Sequence, residues 1–225
     1  MSSPVLRFQS VSKSVPGGRI LFDGLALEVE PGEHVAVRGE SGVGKSTLLN
    51  LIAGLDDPDG GDIEVAGRAL RDLDENGRTD LRRDTIGFVF QAFHILPHLS
   101  LVQNVALPLL LQKRPRHQAL EAAGALLASV GLGDRRQSYS KELSGGELQR
   151  VAIARALVHK PRLILADAPT GNLDPETAGG VITLLGRAVR DGGAAMLLVT
   201  HSPAAAATAD RELLLTRSGL VPKGG

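Results

Sequence analysis

Residues 39–47 read GESGVGKST, and they decide what kind of fold this is. The stretch matches the pattern G-x-x-x-x-G-K-[ST]. A glycine-rich turn with a chance lysine would read the same in isolation. Its surroundings argue otherwise, because HVAVRG (34–39) before it reads as a buried strand. KSTLLNLIAG (45–54) after it has helical spacing. Strand, glycine loop and helix in that order make a phosphate cradle. Gly39, Gly42 and Gly44 let the backbone turn tightly and aim its N–H groups inward. The helix start at Lys45 adds its positive dipole end. Lys45 is placed to reach β- and γ-phosphates, and the Ser46 hydroxyl suits Mg²⁺. The loop argues for nucleotide binding and leaves the reaction open.

A phosphate loop of this kind needs a second magnesium contact from an acid at a strand end. LILADAPTGNLD (163–174) supplies one: Leu163 to Ala166 lead into Asp167. An apolar run followed by Asp is a weak signal alone, since a helix cap looks similar. Beside GESGVGKST it becomes specific. The next residue, Ala168, carries a methyl group where a metal-assisted reaction would place a base. TIGFVFQ (85–91) is a further strand ending on Gln91, whose neutral amide suits either magnesium or an attacking water, or an ordinary polar strand end.

The remaining pattern is α/β. VLRFQSVS (5–12), ALEVE (26–30) and GDIEVAG (61–67) read as strands of an N-terminal antiparallel β sub-domain. Residues 92–160 are expected to be helical, with breaks near Pro97, Pro108, Pro115, Gly131 and Gly133. LILAD (163–167) and AAMLLVTH (194–201) are near-continuous apolar runs, as in a parallel sheet covered on both faces. A helix is expected over 175–190, another over the alanines of 202–210, and a last strand over 211–219. The final VPKGG reads as a frayed end.

Composition narrows the class. Among 225 residues, 25 Lys and Arg balance 25 Asp and Glu, so no global basic field points to nucleic acid. Cysteine is absent, which excludes disulfides and thiolate chemistry. The start MSSPVLRFQS lacks a basic segment followed by an apolar block. No stretch approaches the roughly 20 apolar residues of a membrane span. Any membrane role is therefore expected through a partner.

LSGGELQR (143–150) opens a helical run. Ser144 and Glu147 have capping-box spacing, yet Gly145 and Gly146 at a helix start also make a second bare anion site. One nucleotide cannot easily use both sites in one chain, whereas two chains can share them. With this stretch the sequence resembles the nucleotide-binding domains of ABC transporters along nearly its whole length. The resemblance is carried by GESGVGKST, FVFQ (88–91), LSGGELQR, LILAD, GNLD (171–174) and VTHS (199–202). It implies one ABC domain over residues 1–225, built on a P-loop NTPase (RecA-like) core with a helical sub-domain inserted at about 92–160.

It also implies site residues. Gly39, Glu40, Ser41, Gly42, Val43, Gly44, Lys45, Ser46 and Thr47 would cradle ATP. Ser46, Gln91 and Asp167 would serve Mg²⁺. Leu143, Ser144, Gly145, Gly146 and Glu147 would meet the ATP of a second copy, and Asp174 would lie in the loop crossing that dimer interface. His201, between AMLLVT and the helix start at Ser202-Pro203, would contact the γ-phosphate and the attacking water.

Two positions depart from the family. Its members carry a glutamate base where this chain has Ala168, so hydrolysis should be slowed while binding survives, giving an ATP-trapped dimer. Two origins fit: a substitution introduced to hold that state, or a naturally degenerate regulatory subunit. Members also commonly stack adenine on an aromatic residue, and Val15 stands near that place. Finally, AFHILPHLSLVQNVALPLLL (92–111), with GNLD, resembles the lipoprotein-releasing and macrolide-export branch. That implies membrane permease subunits contacting Phe93–Leu99, a lipid-linked or hydrophobic substrate, and a place at the cytoplasmic face of the inner membrane. A chromosome-type ATPase would add a long coiled coil. A small-molecule kinase would not need LSGGE or His201, and a ribosome-acting relative would usually carry two such domains.

Overall fold

The computed structural model describes residues 3–216 and 219–222. Two sheets share one core. The first is antiparallel in the order β2-β1-β4-β5, formed by β1 (Leu6–Val15), β2 (Arg19–Val29), β4 (Gly60–Val65) and β5 (Arg68–Ala69). The second runs β10-β9-β3-β8-β7-β6. Its members are β3 (His34–Arg38), β6 (Ile86–Phe90), β7 (Leu163–Asp167), β8 (Ala195–Val199), β9 (Arg211–Thr216) and β10 (Gly219–Pro222). Strands β6, β7, β8, β3 and β9 are parallel neighbours, and β10 returns antiparallel to β9.

The apolar runs reflect burial on both faces. In β7, Leu163 and Leu165 join the core shared with the antiparallel sheet and α1 (Lys45–Ile52). Ile164 and Ala166 face the other way, onto Val181, Leu185 and Val189 of α6 (Pro175–Gly192). That i, i+4, i+8 stripe is what makes α6 a surface helix with one buried face. The helical region has a separate core, in which Leu101, Val105 and Leu109 of α3 (Leu101–Leu111) meet Ala119, Ala123 and Leu127 of α4 (Arg116–Ser129). Val151, Ala154 and Val158, on and just beyond α5 (Gly145–Leu157), complete it.

Several expectations are corrected. Pro108 lies inside α3 rather than at a break. The ring removes one ladder donor, a cost of about 3 kcal/mol, and the buried stripe on either side carries the helix through it. Residues 92–99 are not helical, and α7 is only Pro203–Ala206. Helix α2 (Glu75–Thr85) was not foreseen: Leu81 is its single buried residue, and Asn76-Gly77 reads as a turn. Asp74 starts it by accepting the Gly77 N–H at 2.7 Å. Strands β1 and β2 extend well past the expected ends, because their pairing continues to the turn, Val15 opposite Arg19. Val221 and Pro222 of the supposed frayed end pair with Leu214 and Leu213. Residues 217–218 of the expected last strand, and 223–225, lie outside the described residues. No described helix is long and apolar enough to cross a membrane.

His34 and His159 are held below the ordinary histidine value by burial; Asp210 partly opposes this at His34, and the Ile86 carbonyl at His159. A lowered folded value means that unfolding takes up protons. Stability is therefore expected to fall as pH drops below about 6.5. Urea midpoints at pH 7.5 and 5.5 should differ, and a His34→Gln/His159→Gln double variant should flatten that difference.

Candidate nucleotide site

The parallel sheet aligns the site. Cross-strand register sets Val37, Val199, Asp167 and Phe90 side by side at the C-terminal ends of β3, β8, β7 and β6. The phosphate loop leaves β3, Gln91 follows β6, and His201 follows β8 by two residues. Ligand-bearing groups thus collect at one edge, the usual place in open α/β sheets.

They surround a cavity of about 380 Å³ lined by Ser41, Gly42, Gly44, Lys45, Ser46, Thr47, Gln91, Asp167, Ala168 and His201, with Val15, Arg19, Leu21 and Val199. Gly42 and Gly44 have φ of 76° and 110°. A Cβ on Gly44 would stand 2.9 Å from the Phe22 ring. Glycine is needed at Gly44 for conformation and space together, and at Gly42 for conformation alone. Glu40 and Val43 turn away, lining a neighbouring cavity with Leu214 and Leu215, and Gly39 backs against the Leu215 carbonyl.

The Lys45 ammonium is buried and donates to the Gly39 and Glu40 carbonyls at 2.9 and 2.7 Å. Burial lowers its pKa, with Asp167 opposing. Burial likewise raises the Asp167 carboxyl, while the Ser46 hydroxyl bonded to it, Lys45 and His201 pull it back. Each group is thus biased toward its neutral form and stands to gain charge stabilisation when a polyanion and a cation enter. A hydroxyl and a carboxylate in contact beneath a phosphate loop form a hard oxygen donor set, which fits Mg²⁺.

Gln91 is tied to the loop after β7. Its Nε2 donates to Asn172 Oδ1 at 2.8 Å, and Asn172 Nδ2 donates to the Gln91 carbonyl at 3.1 Å. A Cβ on Gly171 would come within 2.8 Å of that amide. Beyond Gln91, Phe93 and His94 both adopt left-handed backbone, φ 57° and 49°. Arg155 of α5 holds them there by donating to the His94 and Phe93 carbonyls at 2.6 and 2.7 Å. Two such residues cost of order 1 kcal/mol or more each, and the guanidinium offsets part of that.

Leu143–Glu147 and Asp174 do not line the cavity. Ser144 caps α5 in a capping box: its hydroxyl lies 3.0 Å from Glu147 Oε2 and accepts the Glu147 N–H. A Cβ on Gly146 would collide with Thr177 Cγ2, and one on Gly145 would press on Leu173 at 3.2 Å. The glycine pair therefore has a packing reason within the chain. Asp174 caps α6, accepting the Thr177 N–H at 3.0 Å.

The expected permease patch is divided. Ile95 packs into the helical core. A more apolar groove of about 440 Å³ lies alongside, taking only His94 from residues 93–99. Phe88, Phe90, Leu107, Pro108 and Leu111 supply its apolar wall. Sequence reasoning missed Arg19, Leu21 and Asn172. Arg19 was accessible from the Pro16-Gly17-Gly18 turn, which folds it opposite Val15.

Comparison with known proteins gives a consistent picture. The ABC transporter family profile matches residues 22–171. The chain is 48% identical to the lipoprotein-releasing system ATP-binding protein LolD of Pseudomonas fluorescens, over 92% of this chain and 91% of that protein. It is 43% identical to an ABC transporter ATP-binding protein of Mycobacterium tuberculosis, over 97% and 90%. Among solved structures, the ATP-binding cassette MJ0796 in a dimeric post-hydrolysis state bound to ADP and Pi superposes with TM-score 0.86. It is 34% identical, covering 98% of this chain and 99% of that one. CbiO1 of Clostridium perfringens, part of the transporter complex cbiONQ, gives TM-score 0.89 at 26% identity, over 99% and 89%.

Proposed function

This chain belongs to the ABC transporter family as an ATP-binding subunit, and we propose that it is the motor of a lipoprotein-releasing-type transporter, working as a dimer with two composite ATP sites. The observation that carries this reading is the single cavity joining Lys45, Ser46, Gln91, Asp167 and His201. The LolD relatives support the branch, and the dimeric cassette supports the assembly.

Gly42 to Thr47 cradle the phosphates, and Lys45 exchanges its loop carbonyls for β- and γ-phosphate oxygens. Ser46, Asp167 and Gln91 would hold Mg²⁺, which would supply charge neutralisation on the phosphates. His201 orients water and the γ-phosphate from the β8 end. Ser144, Gly145 and Gly146 of a second copy close the site, with Asp174 at the start of α6 near that contact. Gln91 senses occupancy and passes it to the Asn172 loop and to Phe93–His94. The Phe88–Leu111 groove receives a helix of a membrane permease, which holds the chain at the cytoplasmic face of the inner membrane. The substrate is lipid-linked or hydrophobic. Ala168 leaves no carboxylate base next to Asp167, so this chain holds ATP with little turnover. That same residue favours one alternative, a regulatory subunit that binds ATP without spending it.

Equilibrium binding tests the core of this. The chain should bind Mg-ATP, and Lys45→Ala should weaken it by about 50-fold, the loss of charge-assisted bonds to phosphate. Absence of magnesium-dependent ATP binding would sink the reading.

A further inference from the structure

The nucleotide cavity has two unlike flanks. The sheet flank carries the groups suited to phosphate and cation: Lys45, Ser46, Gln91, Asp167 and His201. The other flank is the tip of the β1–β2 hairpin, carrying Val15, Arg19 and Leu21. Among the described residues, no Phe, Tyr or Trp lines this cavity. A nucleoside triphosphate with its phosphates on the loop has only the hairpin flank left for its base.

Arg19 is built to meet it. Its partner in register is Val15, so both side chains leave the same hairpin rung. The rung is closed by Gly17 and Gly18 at φ 96° and 79°, which fixes the two side chains beside each other. Val15 is partly buried against the main core and offers a fixed aliphatic surface. Arg19 is exposed, and its Nη2 lies 3.5 Å from the Gly42 carbonyl oxygen, a long contact that brings the guanidinium over the phosphate loop. A guanidinium is planar and delocalised, and it stacks on aromatic faces where an ammonium cannot.

We propose that Arg19 is the base platform of this nucleotide site, stacking its guanidinium on the purine against Val15 in place of an aromatic side chain. The inference rests on the ATP-binding reading above. Stacking reads a π-face and not the hydrogen-bonding edge of a base. The site should therefore accept guanine almost as well as adenine.

The test is equilibrium binding of Mg²⁺ complexes of ATP, GTP and inorganic tripolyphosphate. The chain should bind ATP and GTP within about fivefold of each other, and tripolyphosphate more weakly. Arg19→Ala should lower ATP and GTP affinity by about tenfold and leave tripolyphosphate unchanged. Arg19→Lys should recover only a small part of that loss, because an ammonium keeps a cation–π attraction but has no plane to stack, and Val15→Tyr added to Arg19→Ala should recover the loss. Arg19 is exposed, so an unchanged melting temperature verifies folding. Equal loss of ATP and tripolyphosphate would make Arg19 a phosphate ligand and overturn the proposal. Unchanged ATP affinity in Arg19→Ala, or full retention in Arg19→Lys, overturns it too. If the unaltered chain binds none of the three, the nucleotide reading itself has failed, a different result from any of these.

Discussion

Ala168→Glu is expected to raise phosphate release from Mg-ATP by about 10²–10⁴-fold, the contribution of a positioned base. Residue 168 follows Asp167 directly and lines the same cavity as His201. Its backbone is pinned on both sides: the Ala168 N–H donates to the Val199 carbonyl at 2.8 Å, and its carbonyl accepts the Gly171 N–H at 2.9 Å. The left-handed conformation at 168, φ 42°, is already borne by a residue with a Cβ. A longer side chain therefore adds little backbone strain and starts from a half-buried position on the cavity wall. Ala168→Gln separates size from basicity, since it fills the space and accepts no proton. The expected pattern is high turnover for Glu and none for Gln. Dimer lifetime should follow the reverse order, with the unaltered chain forming a lasting ATP-dependent dimer and the Glu form a short-lived one on size exclusion. If Glu leaves turnover and lifetime where they were, the missing base is not the lesion, and the regulatory-subunit reading takes its place.

Ser144→Asp is expected to abolish the Mg-ATP dimer while leaving ATP binding by the single chain intact. Aspartate is as good an N-cap as serine, and negative charge at a helix start is favourable. Helix α5 should stay folded at a cost of about 1–2 kcal/mol, because the new carboxylate loses the hydroxyl bond to Glu147 Oε2 and repels it, while Arg135 beside Glu147 offsets part of that. Across a composite site the added carboxylate would face a γ-phosphate. Like charges brought together at an interface cost several kcal/mol, so dimerisation should weaken by about a hundredfold or more. Sedimentation with and without Mg-ATP reads the dimer, and nucleotide titration reads the cis site. A variant that still dimerises would show that the α5 start serves this chain alone. Gly145 and Gly146 would then be explained by Leu173 and Thr177, which they approach closely.

What the sequence determined by itself is what neighbouring residues settle among themselves. A glycine loop between a buried strand and a helix is local chemistry, so Lys45, Ser46 and the cradle were legible at once. Asp167, Gln91 and His201 were legible because each closes an apolar strand, and strand ends in a parallel sheet share one edge. The Ser144–Glu147 box is a matter of spacing within one helical turn. Tertiary structure decided whatever depends on partners distant along the chain. Arg19 enters the cavity only because hairpin pairing continues to Val15. Helix α2 stands on one buried leucine and had no periodicity to reveal it. Pro108 stays helical because Leu101, Val105 and Leu109 find α4 and α5, and that packing outweighs a local breaker. The apolar groove beside His94 gathers residues from α2, β6, α3 and α5, and no single stretch contains its pattern. Burial and register are properties of the assembled chain, and they override local propensity wherever the two conflict.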